Sequence, residues 1–256
     1  KGAIEIADKL LADVSHLVIT CNAEGAIAGQ GEDNRLTVLL PDAAHDRSFA
    51  MTSSFTAMMY AAWGALSREP VDLGRISEGC AHILQTTIPM MQRLADARFD
   101  RVVYLGSGPF KGLAREAALK LMELTDGGIP TSFDSPLGFR HGPKTVVTDR
   151  TMVMLFMSND PLTRAYDMDL RAELIADSKA AQIVTLSAID DIDDAILVPG
   201  MAESKDAELL YPYIIPAQIY GFLASLDAGL TPDNPNVSGT VNRVVQGVRL
   251  HACETA

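Results

Sequence analysis

Between Arg101 and Lys144 the chain reads RVVYLGSGPFKGLAREAALKLMELTDGGIPTSFDSPLGFRHGPK. A short apolar strand, Val102 to Leu105, runs into the loop Gly106-Ser107-Gly108-Pro109 and then into a helix ending near Leu124. Ala, Leu, Lys, Glu, Arg and Met fill that helix, and no proline interrupts it after Pro109. Leu113, Ala117, Leu121 and Leu124 recur at helical spacing and are predicted to face a core. Glu116, Lys120 and Glu123 also recur along one face. Two carboxylates flanking an ammonium can be a surface ion network or a chemical site, and the spacing does not choose between them. Close by lies Phe139-Arg140-His141-Gly142-Pro143-Lys144, a histidine between a cation and a Gly-Pro turn.

The same alternation extends through the chain. Strands are expected at His16 to Cys21, Leu36 to Leu40, Thr151 to Met157, Gln182 to Leu186 and Ala195 to Pro199. Helices are expected at Lys1 to Ala12, Phe55 to Leu66, Val71 to Phe99 with a kink at Pro89, Leu162 to Ala180, and Tyr213 to Leu226. Strands alternating with helices imply α/β architecture with parallel sheets covered on both faces. Helix–strand–strand–helix up to Leu66 is echoed from Leu162 to Leu226, but only the second copy is preceded by a strand, a Gly-Ser loop, a helix and a further strand. On that repeat the chain is expected to enter its first domain part-way through.

Composition narrows the function. With 256 residues, 48% of them apolar, the chain can bury one large core or two smaller ones. A formal charge of −12 argues against nucleic acid or an anionic membrane as a partner. Cys21, Cys80 and Cys253 lie far apart and suit reduced thiols of a cytoplasmic protein. Leu209 to Leu226 is apolar but holds Pro212 and Pro216, and is expected to be a buried helix. His16, His45, His82 and His251 have no metal-ligand spacing, and no metal is expected. Asp190-Asp191-Ile192-Asp193-Asp194 is expected to be a solvated loop rather than a cation site. The hydroxyl-rich entry Ser48 to Ser54 can cap a helix or meet a sugar or phosphate, and both readings stay open.

The pattern YLGSG…LAREAALKLMELT…FDSPLGFRHGP resembles the second half of double sugar isomerase (SIS) domain proteins. With CNAEGA, FAMTSSFT and LTPDNPNVSGTVNRVVQGV added, the whole chain is similar to the tagatose-6-phosphate ketose/aldose isomerase family, which includes galactosamine-6-phosphate deaminases. The resemblance implies two flavodoxin-like SIS subdomains: residues 1–70 as the C-terminal part of the first, 71–99 as a connecting helix, 100–229 as the second, and 230–256 as a tail that closes the site. It implies a homodimer or larger assembly and no cofactor.

The resemblance also implies roles. Glu123 matches the family's acid/base carboxylate, which moves a proton between C2 and C1 of the open-chain sugar. His141 matches the ring-opening histidine, which in some members reaches a neighbouring subunit's site. Lys120 matches a substrate-contacting lysine and Glu116 a supporting carboxylate. Met51, Thr52 and Ser53 match a loop lining the sugar pocket. The tail of the related glucosamine-6-phosphate synthase carries a catalytic lysine, and here Arg243 and Gln246 are the candidates at that place.

The family's phosphate turn, Ser-x-Ser-Gly-x-Ser/Thr, is absent from this sequence. Its second-half equivalent reads Ser158-Asn159-Asp160-Pro161, with an Asp where phosphate would sit, and is expected not to bind phosphate. Gly106-Ser107-Gly108 is expected to be a tight strand–helix turn rather than a phosphate cradle. The expected reaction is deaminating isomerisation of a phosphorylated amino sugar, galactosamine-6-phosphate to tagatose-6-phosphate and ammonia. The alternatives are a plain isomerase, a fructosamine-phosphate deglycase, or a non-catalytic sugar-phosphate sensor.

Overall fold

A computed structural model describes residues 2–28, 33–242, 247 and 249. It divides into two compact units, one formed by the chain up to Pro70 with the stretch from Asn236 on, the other by Val71–Pro235.

The first unit opens with α1 (Gly2–Leu10), which buries none of its residues. Its Asp8 accepts hydrogen bonds from His16 Nε2 at 2.7 Å and Asn34 Nδ2 at 2.9 Å, tying the helix to the starts of two strands. These strands, β1 (His16–Thr20) and β2 (Arg35–Leu39), pair in parallel from His16↔Arg35 to Thr20↔Leu39. Helix α2 (Ser53–Leu66) follows.

The second unit carries a five-stranded parallel sheet in the order β4-β3-β5-β6-β7. The strands are β3 (Arg101–Gly106), β4 (Thr131–Asp134), β5 (Thr151–Phe156), β6 (Gln182–Ser187) and β7 (Ile196–Leu197). β3 and β5 are continuous apolar runs because both faces of the sheet are covered. The helices are α3 (Leu73–Asp96), α4 (Pro109–Leu124), α5 (Pro136–Arg140), α6 (Pro161–Asp177) and α7 (Asp206–Asp227). α7 packs along α3 and α4, so the helix expected as a connector lies within this unit. Val103, Leu105, Val153, Leu155, Phe139, Leu170 and Leu174 form a buried cluster of sheet, α5 and α6 residues.

Two expectations change. α7 is the buried helix expected over Pro212 and Pro216, but it begins at Asp206, ahead of both Leu209 and Tyr213. The buried packing of Leu209, Tyr213, Ile214, Ala217 and Tyr220 outweighs the backbone hydrogen bonds those prolines remove. β4 forms where only a connecting segment was expected. The aspartates of the acidic run are exposed, as expected, and two of them make ion pairs, Asp191 with buried Arg164 and Asp194 with Arg171.

Candidate active site

Helix α4 is set by its N-terminal turn. A Cβ on Gly106 would lie 2.4 Å from Phe110 Cβ and 2.8 Å from Phe110 O, so only glycine lets β3 turn so tightly into the helix. Leu113, Ala117, Leu121 and Leu124 are then buried, as the spacing predicts, and Phe110 joins them. The face bearing Glu116, Lys120 and Glu123 is not a surface network. Lys120 is only 6% exposed. Its Nζ donates to Glu123 Oε2 at 2.6 Å and lies 3.6 Å from Glu116 Oε1.

The charges there are held out of bulk water, where they act on one another more strongly. Burial pushes the Glu116 carboxyl above the usual range, the neighbouring Lys120 charge opposes that rise, and Glu123 adds to it. Glu123 keeps about a quarter of its side chain open to solvent (25%), the most of the three. A half-open carboxylate on a rigid helix, hydrogen-bonded to a buried ammonium, can exchange a proton with a bound molecule without moving the backbone.

His141 lies at the end of α5, exposed, and its ring makes no hydrogen bond among the described residues. The helix before it is fixed at one end by Ser135 Oγ, which accepts from Gly138 N at 3.2 Å, and at the other by Phe139, 1% exposed. After it the chain turns at Gly142, where φ is +107°. Among the described residues no hydrogen bond or ion pair joins His141 to the α4 triad.

Met51, Thr52 and Ser53 lie in the first unit, at the start of α2. Of the two open readings, a cap by these hydroxyls is not what forms. Asp46 caps the helix from upstream, accepting from Ser53 N at 3.2 Å, Ser54 N at 2.8 Å and Ser54 Oγ at 2.6 Å. Burial pushes its carboxyl up, but the hydrogen bonds from Ser54 and Ser53 outweigh burial and hold it below the usual range. That helix N-terminus therefore already holds an anion. Arg243 and Gln246 lie outside the described residues.

One group of functional weight escaped the sequence reading. The sheet order puts a topological switch point between β3 and β5, the crevice where open α/β sheets bind ligands. Here it is filled from within. Ser107 Oγ donates to Asp167 Oδ1 at 2.6 Å, and Ser158 N donates to Asp167 Oδ2 at 3.0 Å. Asp206 accepts from Ser158 Oγ at 2.5 Å and Asn159 N at 2.8 Å. Asp160 caps α6 through Thr163 N at 2.8 Å. Three carboxylates thus take up donors that a phosphate would need, and Gly106-Ser107-Gly108 is a tight turn.

No protein-family model matches the chain. D-galactosamine-6-phosphate deaminase AgaS of Escherichia coli is 42% identical over 260 residues, taking in 98% of this chain and 68% of that protein. The chain belongs to the AgaS family. The AgaS of Shewanella sp. is 43% identical over 258 residues, across 98% of this chain and 64% of that one. Among solved structures, tagatose-6-phosphate ketose/aldose isomerase from Escherichia coli matches with a TM-score of 0.89 at 36% identity, over 99% of this chain and 68% of that chain. The double SIS resemblance read from the motifs is therefore correct, and the AgaS likeness runs through both units.

Proposed function

We propose that this protein converts galactosamine-6-phosphate to tagatose-6-phosphate and ammonia. The observation that carries the proposal is the AgaS identity over 98% of the chain, with the Glu116–Lys120–Glu123 triad gathered around buried Lys120 beside it. In this reading the pyranose opens with His141 as the proton carrier. Glu123 takes the proton from C2 of the open aldehyde, and the electron pair moves onto O1 to give an enaminolate. Glu123 returns the proton to C1, and one amine proton passes to O1 through solvent, which leaves a ketimine at C2. Water adds to C2 and ammonia leaves, so C1 is reduced, C2 is oxidised, and no external oxidant or reductant is needed. Lys120 hydrogen-bonds Glu123 and steadies negative charge as it develops on the substrate oxygen. Glu116 shares the Lys120 charge. The Met51–Ser53 loop, Arg243 and Gln246 are assigned to sugar binding, and the protein to a cytoplasmic homo-oligomer.

The test is ammonia release by the full-length protein from galactosamine-6-phosphate and glucosamine-6-phosphate side by side. Release from the galacto sugar supports the deaminase. The likeness to a solved tagatose-6-phosphate ketose/aldose isomerase favours one second reading, plain isomerisation. Interconversion of a ketose and an aldose phosphate with no ammonia from either amino sugar would replace the first reading by the second.

A further inference from the structure

We propose that Glu173 is a positioning residue for His141, acting through the two cations that bracket it. The inference rests on the reading of His141 as the ring-opening group. In sequence, Arg140 and Lys144 flank the His-Gly-Pro turn, and Glu173 and Asp177 stand one helical turn apart on α6. In the fold these two pairs meet. Arg140 Nε lies 2.8 Å from Glu173 Oε2. Lys144 Nζ pairs with Glu173 Oε1, and lies 2.8 Å from Asp177 Oδ2. One carboxylate therefore holds the chain immediately before His141 and again just after Pro143.

The consequence is directional. Arg140 and Lys144 turn towards α6, and Phe139 is sunk in the core, while His141 between them stays exposed. Gly142, at φ +107°, supplies the reversal that permits this. Such a turn would be free to swing if held at one end. Held at both, it keeps the imidazole on a fixed bearing, as proton transfer to a sugar ring oxygen requires. The Lys144 hydrogen bond holds Glu173 below the usual carboxylate range, so the brace is charged at any pH where a histidine works. Its members are partly exposed, and such pairs add little to overall stability, so the effect belongs in catalysis.

The experiment is a double-mutant cycle on the full-length protein, reading ammonia release from galactosamine-6-phosphate. The variants are Glu173→Gln, His141→Ala and both together, with melting temperatures measured alongside. Glu173→Gln is expected to lower kcat by about 10-fold with KM little changed, and to add no further loss in the His141→Ala background. Glu173→Asp should restore part of the rate. Arg140→Gln, which removes one of the brace's two bonds from the other side, should repeat the loss in kcat and serves if Glu173→Gln folds poorly. Equal losses from Glu173→Gln in both backgrounds, or wild-type turnover in Glu173→Gln, would overturn the positioning role while leaving His141's own role intact. Full turnover in His141→Ala would remove the reading of His141, and the inference with it.

Discussion

The Ser107 hydroxyl donates to Asp167 Oδ1 at 2.6 Å, and through this bond the turn after β3 is closed by a side chain of α6. Asp167 is 1% exposed, and its second oxygen takes the Ser158 amide. Burial pushes its carboxyl above the usual range, against the pull of both hydrogen bonds. Asp167→Ala leaves a hydroxyl and an amide without their acceptor, and is expected to cost about 2–3 kcal/mol in urea unfolding. Asp167→Asn can keep both partners, with its oxygen on Ser158 N and its amide on Ser107 Oγ, and is expected to cost under about 1 kcal/mol. The sign with pH follows from the raised carboxyl. Its stabilising share is complete below the unfolded value of 3.8 and is lost as pH rises through the folded one. The Asn variant has no such loss, so its deficit against wild type should shrink from pH 4 to pH 7. A deficit that grows over that interval would contradict the account.

Lys120 offers a second test. Removing the ammonium by Lys120→Met leaves Glu116 and Glu123 facing each other without their shared cation. Breaking a fully buried pair costs about 3–5 kcal/mol, and the partial exposure of Glu123 brings the expected cost nearer about 2–3 kcal/mol at pH 7. Acidification should restore part of it, because protonating one carboxyl relieves the repulsion. Thermal unfolding of Lys120→Met and wild type at pH 5 and pH 7 measures this. A cost that does not fall on acidification would mean that the loss is one of packing.

The asymmetry between what was and was not readable has physical causes. β3 and β5 stood out because strands covered on both faces are continuous apolar runs. β4, with the sequence TSFD, did not, because it pairs only with β3 and none of its residues is buried. The apolar run from Leu209 was legible as a buried helix despite Pro212 and Pro216, but its first turn was not, because Asp206 and Glu208 there carry no apolar signal. In the site, the i, i+4, i+7 spacing placed Glu116, Lys120 and Glu123 on one face. It could not say whether that face meets water, which is why a surface network stayed open until Lys120 proved buried. Asp167 left no local trace, since Ser107 lies 60 positions away. Glu173 and Asp177 did leave one, as an i, i+4 acidic pair matching the cations around His141, but any exposed helix shows such pairs.

Asp46 tests the first unit separately. Its carboxylate supplies the cap that the neighbouring hydroxyls do not, and Asp46→Ala is expected to cost about 1–2 kcal/mol. Because the folded carboxyl is held low, its contribution is complete above the unfolded value of 3.8 and is lost as pH falls through the folded one. The difference between variant and wild type should therefore vanish in acid. Thr52→Val, which touches no cap bond, should leave stability within about 0.5 kcal/mol. Any rise in KM it causes is then a binding effect, which unfolding and kinetic measurements on the same variant separate.

Glu123→Gln bears most directly on the chemistry. The amide is nearly the same size and can still accept a hydrogen bond from Lys120, so fold and substrate binding should survive. What it cannot do is take a proton from carbon. A positioned acid/base group contributes roughly 10²–10⁴-fold, so kcat should fall by at least about 10² with KM within about threefold. Exchange of the substrate's C2 proton with deuterated solvent, followed by NMR, isolates the step. The variant should show no exchange even where ligand binding is intact. Glu116→Gln should behave differently: its carboxyl is already disfavoured by burial, so the substitution should leave stability at pH 7 unchanged or raised, and C2 exchange should persist at a reduced rate. Loss of exchange in Glu116→Gln with retention in Glu123→Gln would transfer the base from the half-open end of the triad to its buried end.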